Sequence, residues 1–455
     1  MRRIESAALA AITAAGLMTG CGASAGTSGA HTGGTESAVP EDNGTVLNIQ
    51  CWNDEIRELF ENYYPGYERV DDTTGKLGDV TVKFIVTSTE DNAYRTNLDT
   101  ALAGNASAAA EDKVDLFLTD ADSVQNDTRT DGYAMKLSEL GITEDDLTDQ
   151  YSYTQEAASD MDGELRGAAW EACAGGLIYN REIAQSVLGT DDPEAVQEAV
   201  KDWDSFAETA AKLRKAGYQI TATANDTYRA YAANKANAWV SEDGALRIDD
   251  SLKEWAEAAK ALVDARETGT AALWSEDWSE GLYEETSVFA YFGPLWFVTS
   301  SMCEGEDGSI ADNGGWAMTE GPQGFSWGGT WICAAEGTDN TTLVKEVILT
   351  LTANAEVQKE MASAGISVNN SSVMNELADD DTIGVDVLGG QNPFRVLAAN
   401  TETITASNCS VYDAGCDEAF RSAMKTYLDG NATYEEAVET FRKNIAEKYP
   451  ELSVE

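Results

Sequence analysis

The chain has 455 residues, with 80 acidic side chains against 30 basic ones and a formal charge of −50. A field of that sign repels phosphate backbones and anionic headgroups, so the composition excludes a nucleic-acid-binding protein. The only histidine, His31, lies ahead of the folded part, which removes His-based triads, His metal sites and His acid–base chemistry from it.

Met1–Gly20 opens with Arg2 and Arg3 and continues in an apolar run from Ala7 to Met18. That run is too short to span a bilayer and ends in small residues, as a signal peptide does. Thr19-Gly20-Cys21 follows and resembles a bacterial lipobox, in which Cys21 carries the lipid. Residues 21–44 are rich in Gly, Ser, Thr and Ala, the composition of a flexible tether. The expectation is a monomer at the outer face of a cell membrane, touching it only through the anchor. Six further cysteines remain: Cys51, Cys173, Cys303, Cys333, Cys409 and Cys416. An even number in an exported chain permits disulfides, with Cys409–Cys416 and Cys303–Cys333 as candidate pairs. No C-x-x-C is present, and the residues imply neither a metal nor a cofactor.

Beyond the tether about 410 residues remain, enough for two domains. Thr45–Cys51 alternates as a strand and runs into Trp52-Asn53-Asp54. A helix follows, with Ile56, Leu59, Phe60 and Tyr63 on one face. Val80–Thr87 is a second strand, Ala93–Ala103 a helix, and Val114–Thr119 a third strand ending in Asp120-Ala121-Asp122. This βαβαβ order predicts a parallel sheet with helices on its faces. Ligands collect beyond the carboxyl ends of such strands. Arg166–Tyr179 reads as one extended stretch carrying Trp170 and Glu171 among small residues.

From there the pattern turns helical. Trp203–Ala216 is predicted as a helix, and Ser251–Thr268 as another opened by a capping box, Ser251 with Glu254. An apolar stretch, Ser287–Ser301, contains Phe292-Gly-Pro-Leu-Trp296, and Phe325–Trp331 is rich in Gly and Trp. Helices are expected over Leu343–Leu351, Glu356–Ser363 and Thr433–Lys448, the last with a capping box of Thr433 and Glu436.

This ordered set resembles the extracellular solute-binding proteins of ABC importers, and more closely their carbohydrate-binding group, which includes the maltodextrin binders. It runs from the lipobox at Cys21 through Trp52-Asn53-Asp54, Asp115–Asp122 and Leu177-Ile-Tyr-Asn180. It continues in Phe292–Trp296, Trp327–Ile332 and Leu349–Gln358. The resemblance implies an α/β, two-lobed periplasmic-binding-protein-like fold of type II, with the ligand enclosed between lobes joined by three chain crossings. It places those crossings near Gly167–Cys173, Ser287–Phe292 and Ala335–Leu343. The first lobe is then 45–168 plus 290–338, and the second 169–289 plus 339–455. The implied partners are a mono- or oligosaccharide and the transmembrane subunits of an ABC permease.

A sugar ring is held by a flat aromatic platform and by planar polar groups at its hydroxyl rim. The chain has 11 tryptophans. Those where the family's clefts lie are Trp52, Trp170, Trp327 and Trp331, with Tyr94, Trp239, Trp274, Trp278 and Trp296 as further candidates. Asn53, Asp54, Asp120 and Asp122 supply polar groups after the strands, Gly328 sits in the Gly-rich turn, and Glu171 belongs to the first crossing. Glu55 stands where some members carry a lysine. Two other readings remain open: a cationic solute such as a polyamine or basic peptide, held by acids and aromatics, and a surface glycosidase using paired carboxylates.

Overall fold

The computed structural model describes residues 44–454, apart from 234, 284, 285, 306, 307 and 407. The expected signal segment, Cys21 and, but for Gly44, the tether lie outside the described residues. Among these residues no helix is long and apolar enough to cross a membrane.

Twelve strands build two sheets: β1 (Val46–Cys51), β2 (Tyr67–Arg69), β3 (Thr74–Leu77), β4 (Val80–Val86), β5 (Leu116–Asp120), β6 (Gly167–Ala169), β7 (Ala174–Asn180), β8 (Gln219–Thr221), β9 (Val288–Pro294), β10 (Trp316–Thr319), β11 (Phe325–Ser326) and β12 (Thr330–Ala334). The first sheet has the order β2-β3-β4-β1-β5-β12-β6. Its centre is parallel, β1 pairing with β4 and β5, while β12 runs antiparallel to both β5 and β6. The second sheet has the order β10-β7-β9-β8, with β11 joined to β7.

The βαβαβ expectation therefore holds from Val46 to Asp120, and the reason is visible in β1. Leu47, Ile49 and Cys51 are fully buried, and Asn48 and Gln50 between them are buried too. A parallel sheet covered on both faces demands this. Asn48 is accommodated because its side-chain amide donates to Lys113 O (2.7 Å) and its backbone N–H to Asp115 Oδ2 (2.8 Å). In the second sheet every residue of β7 is buried. Its glycines are there for space: a Cβ on Gly175 would lie 2.3 Å from the Phe325 ring, and one on Gly176 would lie 2.8 Å from Thr319 O.

Three expectations are corrected. The extended stretch Arg166–Tyr179 is two strands in different sheets, β6 and β7, with 170–173 passing between them. The return to the first sheet does not come near 290, since β9 and β10 pair with β7. It comes at 327–329, between β11 and β12. The third passage, expected near Ala335–Leu343, comes instead beside the first: Ala172 N–H donates to Ser367 O (2.7 Å) and Asn369 N–H to Trp170 O (3.0 Å). Helix Thr341–Thr352 before it packs on β6, and helix Phe394–Thr401 after it packs on β7.

Two local readings also differ. The helix Asp250–Asp264 is capped by Asp249, whose side chain accepts from Ser251 N, in place of a Ser251 box. The Thr433–Glu436 box does form, with both reciprocal bonds present. All six described cysteines are free thiols, so neither candidate disulfide exists. Cys51, Cys173, Cys333 and Cys416 are buried and act as small apolar side chains.

Candidate ligand-binding cleft

The passage at 327–329 borders a cavity with walls from both sheets. Asp122 and Gln125 follow β5, and Trp331 comes from β12. The opposite wall is Arg229, Ser326 of β11 and Arg421 on the helix Asp413–Leu428. Gly328 lines it as well, at φ +92°, and its neighbour Gly329 is at φ +113°. Two successive left-handed residues make the turn that only glycine takes without strain. A Cβ on Gly328 would also approach Trp296 Nε1 to 3.3 Å.

An aromatic group stands next to this turn. Trp327 lies 5.5 Å from Trp274, 5.3 Å from Trp296 and 5.9 Å from Phe297, ring centre to ring centre. Trp296 Nε1 donates to the Trp327 carbonyl (3.0 Å), which ties the group to the turn. Trp274 is 50% exposed and adopts φ 65°. A bulky residue in the left-handed region is strained, and such strain collects at functional positions. The Arg229 guanidinium lies 4.9 Å from the Trp327 ring centre. Beneath the group, Trp278 donates its Nε1 proton to Asp226 Oδ1 (2.9 Å). Burial pushes the Asp226 carboxyl up to about 7, against the bonds from Trp278 and Thr223.

The lining is charge-balanced although the chain is not. Arg229, Lys235 and Arg421 line the same cavity as Asp122, Asp413 and Asp417. Asp122 is exposed to solvent on the loop after β5, yet protein surrounds its carboxyl on the cavity side. Desolvation therefore raises its carboxyl above the ordinary range, and Arg229 opposes the rise.

The sequence-predicted site residues separate into five groups, with Glu171 apart from them. Asp122, Gly328 and Trp331 line the cavity, and Trp274, Trp296 and Trp327 form the aromatic group beside it. Trp331 reaches the cavity only at an edge, since it is buried and donates to Thr154 O (2.9 Å). Trp52, Tyr94 and Asp120 border a separate small cavity beyond β1 and β5. There Tyr94 is core, its hydroxyl donating to Leu118 O (2.6 Å), while Asp120 Oδ1 is buried with no partner. Asn53 and Asp54 are exposed at the start of the first helix, Asp54 paired with Arg57 at 3.2 Å. Trp170 and Trp239 are not platforms. Trp170 is 0% exposed within the main core, and Trp239 is buried against Phe420 and Phe441 with its Nε1 proton on Asp417 (2.8 Å).

Sequence reasoning missed Arg229, Lys235, Asp417 and Arg421. Arg229 lies on a short helix, Asp417 and Arg421 on a late one and Lys235 outside any helix, with no motif around them, and only folding brings them to the cavity. The one available signal was scarcity: 30 basic residues in the whole chain make each non-surface arginine informative.

Glu171 does lie at the passage between sheets, half-buried, with its backbone bridged to Val368. Burial and the facing Glu55 carboxylate push its carboxyl up to about 8, against bonds from Cys173 and Thr330. Glu55 is raised as well, chiefly by burial. The folded chain thus holds a proton here that the unfolded chain, with an ordinary Glu near 4.5, has released by neutral pH. Stability from this site is complete below the unfolded value and is lost as pH rises through about 8. Urea unfolding of the wild type should show a loss of about 1–2 kcal/mol between pH 5 and pH 8. Glu171→Gln should flatten that slope, and an unchanged slope would show that the pair does not hold the proton.

The model of the bacterial extracellular solute-binding protein family matches residues 68–383. No curated protein sequence matches the chain. Similar solved structures include an extracellular solute-binding protein of family 1, at TM-score 0.72 and 15% identity, covering 88% of this chain and 99% of the other. The sugar-binding protein MalE of Xanthomonas citri gives TM-score 0.66 at 15% identity, over 89% and 98% of the two chains. The ABC-transporter-associated binding protein of B. animalis subsp. lactis Bl-04, in complex with β-1,6-galactobiose, gives TM-score 0.62 at 18% identity, over 90% and 98%. At these identities the structures establish the fold, a two-lobed periplasmic-binding-protein architecture. With its family model matched over more than half of its length, the chain belongs to the bacterial extracellular solute-binding proteins and is a binding protein, not an enzyme.

Proposed function

We propose that the chain captures a mono- or oligosaccharide in the cleft bordered by Asp122, Arg229 and Trp327 and delivers it to an ABC permease. The observation that carries this reading is the aromatic group of Trp274, Trp296 and Trp327 beside a charged rim. An apolar face with hydroxyl-binding groups at its edge is the chemistry a sugar ring requires. That solved structures of like fold include one in complex with β-1,6-galactobiose supports the same reading. Capture closes the lobes by selecting a closed form, which docks on the permease. The lipid on Cys21 keeps the protein, a monomer, at the outer face of the membrane. A cationic solute fits less well, because Arg229, Lys235 and Arg421 all line the cavity. Isothermal titration against a saccharide panel tests the proposal, with saturable binding at micromolar Kd or tighter expected. Absence of heat with every mono- and oligosaccharide would sink it. Small-angle scattering should show a smaller radius of gyration on binding, and an unchanged curve would remove the closure step.

A further inference from the structure

The other buried or half-buried arginines mostly have carboxylate partners. Arg57 pairs with Asp54 and Glu61, Arg95 with Asp127, Arg166 with Asp160, and Arg181 with Asp191. Arg214, Arg247, Arg266 and Arg442 are exposed and need none. Arg229 and Arg421 are different: both are half-buried on the cavity, and neither is ion-paired among the described residues. Arg229 lies over Trp327 and donates no hydrogen bond to a described residue. Arg421 lies 5.3 Å from the Tyr228 ring centre and spends only Nε, on the Asp417 carbonyl (3.3 Å). Arg129, the remaining half-buried one, donates Nε to Ser159 O (3.4 Å) and faces Cys409 and Asp413 near the same cavity.

Two of the acids beside them already accept other hydrogen bonds. Asp417 Oδ1 accepts from Tyr228 (2.6 Å) and Trp239 (2.8 Å), and Asp413 accepts from Lys235 Nζ (2.6 Å). Asp122, on the loop after β5, is the one left facing them. Arg229 feels both Asp122 and the like charge of Arg421, and burial lowers its pKa. Half-buried guanidinium groups with open N–H donors are well satisfied by an anionic ligand group. In a chain of charge −50 with carboxylates in excess, neither guanidinium is in a direct ion pair with a described Asp or Glu, although Asp122 and Asp417 line the same cavity. Each guanidinium lies over an aromatic ring, Trp327 or Tyr228, and its open N–H donors can grip a planar carboxylate in bidentate fashion.

We infer that the cleft is specific for a saccharide bearing a carboxylate, as in a uronic acid, with Arg229 and Arg421 holding the carboxylate and Trp327 the ring. This rests on the saccharide reading above and narrows it. The test is titration calorimetry with paired ligands: glucuronate, galacturonate and their oligomers, each against its methyl ester, beside neutral oligosaccharides. An ester keeps the ring and hydroxyls and removes only the charge. The acid form should bind at least tenfold more tightly than its ester, since a charge-assisted bidentate pair is among the stronger hydrogen-bonded contacts. Arg229→Gln and Arg421→Gln should each bring that ratio to within about twofold, whereas the exposed Arg214→Gln should leave it unchanged. Equal binding of acid and ester overturns the inference and leaves the saccharide reading standing, as does tighter binding of a neutral oligosaccharide than of any acid. A ratio that survives both arginine substitutions overturns the assignment to these residues. If no saccharide binds at all, the broader reading fails with it. The wild-type comparison decides the matter even if a substituted protein does not fold.

Discussion

Trp170→Ala will lower the folding stability by about 3–5 kcal/mol, the cost of emptying a large buried aromatic site. Trp170 is 0% exposed in the core shared by the two sheets, at the passage from β6 to β7. Its carbonyl accepts from Asn369 N (3.0 Å) and from the Gln358 side chain (3.2 Å). Its indole Nε1 has no partner in the core, so the ring contributes by volume and contact rather than by hydrogen bonding. Thermal or urea unfolding would measure the loss. Titration of the folded fraction should show saccharide affinity within a few-fold of wild type. A large fall in affinity without a fall in stability would return Trp170 to the ligand-contact role that the sequence indicated.

Trp327→Ala should do the reverse. Trp327 is half-buried, stacked at 29° on Phe297 and crossed by Trp296, with Arg229 on its face. Removing the ring takes away the platform and also the surface that orients the guanidinium. A binding hot spot of this kind is worth about 2 kcal/mol or more, so saccharide affinity should fall by a factor of about 30 or more. Trp274→Ala, at a half-exposed ring beside it, should cost about tenfold in affinity and less than about 0.5 kcal/mol in stability. Calorimetry on both variants reads the affinities, and tryptophan emission reports whether the ligand still perturbs the remaining rings. Unchanged affinity in both would show that the ligand lies elsewhere, the small cavity of Trp52 and Asp120 being the next place to look.

Much of the fold was legible because its signals are local. The alternation in β1, the helix stripes at Trp203–Ala216 and Thr433–Lys448, and the order of the first three strands depend on residues within a turn or a strand of one another. The Thr433–Glu436 box is of the same kind, three residues apart and self-contained. Charge and composition likewise excluded nucleic acid and histidine chemistry without any structure.

What only the tertiary structure decided is which side chains share a surface. Trp170 and Trp327 both stand next to small residues in the sequence, and nothing local separates the buried ring from the cleft ring. Their fates follow from where the chain changes sheets, at 170–173 under the cover of 366–370 and at 327–329 in the open turn of two left-handed glycines. The boundary near 290 failed for a related reason. β9 has no feature of its own that selects a sheet; it joins the second because β7 lies beside it, with glycines that let Phe325 close over them. Arg229 and Arg421 are nearly two hundred residues apart in sequence, and each looks like an ordinary basic residue on an amphipathic helix. Only the packing of the helix Asp413–Leu428 over Tyr228 sets them in one cavity, neither of them ion-paired to a described residue. Sequence determines local structure through neighbours a few residues away, whereas a binding cleft is made of residues whose proximity exists only after folding.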